Sequence, residues 1–217
     1  MDKETLNRQS EHWEKTFSSK PDMFGVEPSD AVQKAAALFK EEGKTAVLEL
    51  GCGQGRDTYF FAENGFQIHA LDYCESGIIP LSEKIQGSSL EGSINPVCHD
   101  VRRPLPFNDE TFDGCFSHML YCMALTTEEL KFLSGEIRRV LRPGGLNIFT
   151  ARNTSDAHYG VGIHRGEDMY EMGGFIVHYL SKDKIKNLAE GFEIVSIDGF
   201  EEGELPKKLY RATMRKK

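Results

Sequence analysis

The stretch Val47-Leu48-Glu49-Leu50-Gly51-Cys52-Gly53-Gln54-Gly55 decides how this chain folds. A short, mostly apolar run leads straight into three alternate glycines, which reads as a buried strand ending in a tight turn. Glycine is needed there because the backbone must bend sharply and lie against a ligand with no Cβ in the way. From Arg56 to Asn64 the pattern is helical, with Gly65 as the stop. A helix beginning at Arg56 offers free amide N–H groups to a carboxylate or phosphate. The spacing departs from the dinucleotide pattern GxGxxG: the third glycine falls one residue early, and the acid Glu49 stands two residues before Gly51.

Outward from this unit, short apolar runs alternate with longer amphipathic ones, the pattern of a parallel sheet covered by helices. Upstream, Ser29 caps a helix with Val32, Ala35, Ala36 and Phe39 on one face and Gly43 at its end. Downstream, strands are expected at 68–71, 94–98, 112–117, 146–151, 192–197 and 209–214. Helices are expected at 75–86, broken near Pro80, at 126–141 and at 181–190. In the second of these, Thr126 and Glu129 form a capping box, and Leu130, Leu133, Ile137 and Val140 make the apolar face. Pro143-Gly144-Gly145 turns the chain into the next strand. Residues 153–174 are polar and read as a long loop, a length that usually carries function.

At 217 residues the chain suits one domain, 1–217, and is short for two. No run approaches the roughly 18 apolar residues of a membrane span. The polar start MDKETLNRQSEHWEK lacks the apolar core of a signal peptide, so a cytoplasmic setting is expected. Five cysteines, an odd number with no CxxC pair, do not make a disulfide framework, and no clustered Cys and His ligands suggest a metal. A net charge of −8 disfavours nucleic acid as a partner.

Asp72 ends the strand at 68–71, where a carboxylate can accept both hydroxyl protons of a ribose. After the third strand, Asp100 can accept from an exocyclic amine and Val101 can wall a purine. With these residues on the page, the ordered segments ELGCGQG, ALD, HDVRRPLPF, FDGCFS and LRPGG resemble the motifs of class I S-adenosylmethionine-dependent methyltransferases over roughly residues 45–151. The resemblance implies an α/β, Rossmann-like, doubly wound sheet of seven strands, one of them antiparallel, with helices on both faces. It implies S-adenosyl-L-methionine as cofactor, at the carboxyl ends of the first two strands. Asp72 would meet the ribose, Asp100 the adenine amine, and the carbonyl of Ser117 the methionine amino group. Glu49, Gly51, Cys52, Gly53, Gly55, Arg56, Asp57, Tyr73 and Val101 complete the expected binding set.

The flanks HWE at His12 and MFGVEPS from Met23, with GRDT at Gly55, are similar to the small-molecule branch that includes thiopurine and tellurite-resistance methyltransferases. That branch uses its N-terminal segment as a lid, which makes 1–29 the expected lid, Phe24 a cofactor contact and 152–180 the substrate side. Four of the seven histidines fall between the fourth strand and residue 178, beside three tyrosines. His118, Tyr121 and His158 are the catalytic candidates; Met119, Cys122, Arg152, Tyr159, His164, Tyr170 and His178 are further candidates for the pocket. The expected activity is in-line methyl transfer to a small molecule. Its alternatives are a macromolecule methyltransferase working with a protein or RNA partner, and a nonenzymatic cofactor-binding module.

Overall fold

The structure is a computed structural model that describes residues 3–203 and 207–217. Residues 1–2 of the expected lid lie outside the described residues. Ten strands and six α-helices follow in the order α1 (Lys3–Ser19), α2 (Asp30–Glu41), β1 (Ala46–Leu50), α3 (Arg56–Glu63), β2 (Gln67–Asp72), α4 (Glu75–Ile85), β3 (Ile94–Cys98), β4 (Phe112–His118), α5 (Thr127–Val140), β5 (Leu141–Arg152), β6 (Ile163–Gly166), β7 (Met169–Met172), β8 (Phe175–His178), α6 (Lys182–Asn187), β9 (Phe192–Glu202) and β10 (Lys207–Lys216). Among the described residues no helix is long and apolar enough to cross a membrane.

Seven strands form one sheet in the order β3-β2-β1-β4-β5-β10-β9, and only β10 runs against its neighbours. β1 pairs in parallel with both β2 and β4. Strand order therefore reverses at β1, the place where a doubly wound sheet opens a crevice at its carboxyl edge. Alternation along β1 sends Val47 to one face and Leu48 and Leu50 to the other. The first face is covered by Ala31, Val32, Ala35, Ala36 and Phe39 of α2, Phe61 of α3 and Leu81 of α4. The second is covered by Leu130, Leu133 and Ile137 of α5 and Ile185 of α6.

Three expectations need correction. α4 continues through Pro80, the sixth of its 11 residues: the proline withdraws one interior donor, and buried Ile78, Leu81 and Ile85 hold the helix. The chain leaves α5 at Val140 directly into extended backbone, so Arg142 to Gly145 belong to β5 rather than to a free turn. The stretch 153–174 is largely a second sheet, the antiparallel meander β6-β7-β8. α1 docks on that meander: Gln9 Nε2 donates to the Gly174 carbonyl at 2.9 Å, and Gln9 Oε1 accepts from Ile176 N at 3.1 Å.

Gly77 in α4 supports the glycine turn from below. A Cβ there would stand 2.4 Å from the Gly53 carbonyl oxygen, a backbone atom that cannot swing aside. Gly77→Ala is therefore expected to cost about 1–3 kcal/mol, the range of an overpacked core, with urea unfolding as the check.

Candidate active site

A cavity of about 1100 Å³ lies over the crevice, roofed by α1, the segment after it, and β8. Its lining comes from two sides of the sheet order: the glycine turn, Glu49, Asp57, Asp72 and Tyr73 from the β1–β2 side, and His118, Arg152, His158, Glu202 and Lys207 from the β4–β5–β10–β9 side.

Gly51, Gly53 and Gly55 all adopt positive φ, at 73°, 55° and 88°. Gly51 and Gly53 line the cavity, together with Cys52, Arg56 and Phe24. Gly55 does not; it is the left-handed cap of α3, where a Cβ would meet Leu81 at 2.8 Å. Asp72 ties the turn to the start of α4: one carboxylate oxygen accepts from Gly53 N and the other from Cys74 N, each at 2.9 Å. Burial raises its pKa.

Glu49 is 3% exposed and accepts the Thr58 hydroxyl at 2.6 Å. Burial, with the negative charge of Asp57 adding to it, pushes its pKa up to about 8. Asp57 accepts from Ser29 N at 2.9 Å and Ser29 Oγ at 2.7 Å, while Ser29 Oγ caps α2 through Val32 N. Arg56 Nη1 reaches the Phe24 carbonyl, and Gln54 holds Met23 N and the Lys20 carbonyl. The turn thus fastens the segment that carries Phe24, whose ring lies in an aromatic group with Trp13 and Phe17.

Asp100 and Ser117 of the expected binding set do not line the cavity. The Asp100 carboxylate folds back on Arg102, taking Nε at 3.1 Å on both oxygens and Nη2 at 2.7 Å, and it does not line the cavity. Its neighbours His99 and Val101 do. Ser117 is fully buried with no hydroxyl partner among the described residues, one position short of the cavity surface at His118.

Among the catalytic candidates, His118 and His158 line the cavity and Tyr121 does not. The Tyr121 ring stacks on Phe149 at 3.8 Å, and its hydroxyl accepts from Asn147 inside the core at 3.3 Å. Burial raises its pKa, so the phenol keeps its proton. Tyr121→Phe is expected to leave any turnover within about threefold and to cost about 1 kcal/mol of stability, read from steady-state rates and thermal unfolding.

Thr150 Oγ1 accepts from Met119 N at 2.9 Å and lies 2.8 Å from His118 Nδ1. His118 Nε2 lies 3.4 Å from Glu202 Oε2. That contact with His118 lowers the pKa of Glu202. Glu202 and Lys207 escaped the sequence reading because they lie at the ends of β9 and β10, where only cross-strand register makes them partners. Met119, Arg152 and Tyr170 also line the cavity, whereas Cys122, Tyr159, His164 and His178 do not. Cys122 is a buried thiol raised to about 11 by its burial. His178 is buried between the Leu125 carbonyl and Lys184, and burial brings it down to about 4, so it is neutral.

Residues 47–145 match the family model described as "Methyltransferase domain". Phosphoethanolamine N-methyltransferase 1 of Triticum aestivum is 40% identical over 111 residues, which is 51% of this chain and 22% of that protein. The chain spans between about a fifth and about half the length of curated relatives that it matches. The structure of Burkholderia thailandensis 1,6-didemethyltoxoflavin-N1-methyltransferase superposes with a TM-score of 0.74 at 17% identity, covering 100% of this chain and 90% of that one. TehB of Haemophilus influenzae gives 0.67 at 19% identity, covering 94% and 67%. Residues 47–145 thus match a methyltransferase domain, and the fold is that of class I S-adenosylmethionine-dependent methyltransferases.

Proposed function

We propose that this chain transfers a methyl group from S-adenosylmethionine to a small-molecule acceptor. The observation that carries this reading is the continuity of the cavity: one space is lined both by the glycine turn and by the polar groups His118 and Arg152. Its residues suit the cofactor. The turn leaves room that a side chain would fill, two carboxylates offer acceptors for hydroxyl and amino protons, and His99 Nε2 is a buried polar atom with no partner among the described residues. Asp72 would hold the ribose, Val101 and His99 would flank the adenine, and Glu49 and Gly51 would border the methionine end. Bound there, the cofactor supplies an electrophilic methyl group.

The protein's own share is alignment and the exclusion of water. The aromatic group of Trp13, Phe17 and Phe24 covers the turn, and Phe175 packs on Trp13 at 4.8 Å, so α1 and the meander close the same space. In this reading 1–29 acts as the lid and 152–180 as the acceptor side. His118, held by Thr150 and Glu202, borders the space where an acceptor proton has to be received.

The test is incubation with S-adenosylmethionine labelled in its methyl group and a small-molecule extract freed of macromolecules. Label is expected in the small-molecule fraction with wild type and to be lost with Asp72→Ala. Label confined to added protein or RNA would favour the macromolecular alternative. Cofactor binding without transfer across the extract would favour a binding module.

A further inference from the structure

The acceptor end of the cavity carries more hydrogen-bond donors than acceptors. Arg152 lines it although its side chain is only 8% exposed. Asp156 grips Arg152 from behind through Nε and Nη2, and does not line the cavity itself. Both oxygens of Asp156 are further occupied, by His158 N at 2.9 Å and Lys208 N at 2.8 Å. Arg152 Nη1 has no hydrogen-bond partner among the described residues, and it is not sealed in the core.

The next donor follows from the first. Arg152 Nη2 donates to His158 Nδ1 at 2.8 Å, because a guanidinium has no lone pair to give. The ring proton of His158 is thereby placed on Nε2, on a side chain 43% exposed. Lys207 is the third: it lines the same end and forms no ion pair within 4 Å among the described residues. Its cross-strand neighbour Glu202, whose pKa the Lys207 charge helps to lower, also faces His118. A nearly buried guanidinium with an unmet donor is costly unless a ligand completes it, and its planar fork matches an oxyanion. Met123, Met172 and Phe175 add an apolar wall to the same cavity.

We propose that the acceptor is an amphipathic small molecule whose carboxylate or phosphate docks on Arg152, His158 and Lys207. Its apolar body lies along Met123, Met172 and Phe175. This rests on the methyl-transfer reading above and names the acceptor's class.

The test uses calorimetry with octanoate, octyl phosphate, octanol and octylamine on protein saturated with S-adenosylhomocysteine. At least one of the two anions is expected to bind tenfold or more tightly than octanol and octylamine, and their order distinguishes carboxylate from phosphate. Lys207→Met and Arg152→Lys are each expected to reduce that preference at least fivefold while octanol binding stays unchanged. Equal or tighter binding of octanol or octylamine would overturn the proposal, as would a preference that survives both substitutions. If Arg152→Lys unfolds the protein, Lys207→Met and His158→Phe decide, since both side chains are more exposed. The saturating titration separates the two readings. Failure of wild type to bind S-adenosylhomocysteine counts against methyl transfer, and the amphiphiles are then titrated into the protein alone; binding it without an anion preference counts against this proposal only.

Discussion

Asp72→Asn is expected to weaken S-adenosylhomocysteine binding about 100-fold, measured by calorimetry. The substitution is nearly isosteric, so the loss is chemical. In wild type both carboxylate oxygens accept backbone N–H groups, from Gly53 and Cys74. An amide keeps one acceptor and turns an NH₂ group toward the other donor, leaving a buried N–H without a partner at about 1–3 kcal/mol. That cost falls on the fold with or without cofactor; binding loses the charge that, in the proposed reading, strengthens two bonds from the ribose hydroxyls, roughly 3 kcal/mol together. A loss below fivefold would show that Asp72 organises the turn without holding the cofactor. Circular dichroism of the variant separates this from unfolding.

Glu49→Gln is expected to stabilise the protein at pH 7 and to lose that advantage as the pH falls toward 4.5. Burial raises the Glu49 pKa from 4.5 to about 8, so the folded state holds the proton where the unfolded state has released it. Wild-type stability from this group is fully present below the unfolded value and declines as the pH rises through the folded one. The loss is of order 3 kcal/mol at pH 7, since each tenfold difference in proton affinity between the two states is worth about 1.4 kcal/mol. Glutamine cannot titrate and can still accept the Thr58 hydroxyl, so its curve lacks this slope. Urea unfolding of both proteins from pH 4.5 to 8.5 checks it; parallel curves would mean that Glu49 is ionised in the fold. Wherever a cationic ligand group approaches Glu49, binding near pH 7 should release a proton in wild type and none in Glu49→Gln.

The features legible in the sequence are those set by neighbours along the chain. The Thr126–Glu129 capping box forms as its spacing implies, because both partners lie within one helical turn. Ser29 caps α2 for the same reason. The glycine turn needs positive φ at Gly51, Gly53 and Gly55, and only glycine adopts it at no steric cost.

What escaped the sequence depends on docking. α1 has few apolar residues of its own and is held by Gln9 across 165 positions to Gly174. The meander strands are four residues each, too short for a period to mark them; pairing and the cover of α1 define them. Tyr121 and His118 stand three residues apart, yet one faces Phe149 in the core and the other the cavity. Composition gives no hint of which is which, because that choice is made by the direction of the chain after β4, where Met119 takes φ of 64°.

By itself, then, the sequence determined the strand-turn-helix unit, the sheet class and the acids at the ends of the first two strands, since backbone sterics and hydrophobic alternation act locally. Tertiary structure alone brought Glu202 and Lys207 to the part of the cavity where Arg152 and His158 stand, through the register of β5, β10 and β9. Hydrogen-bond geometry then fixed which of their donors stay free, because Asp156 and His118 take up some partners and leave others facing the cavity.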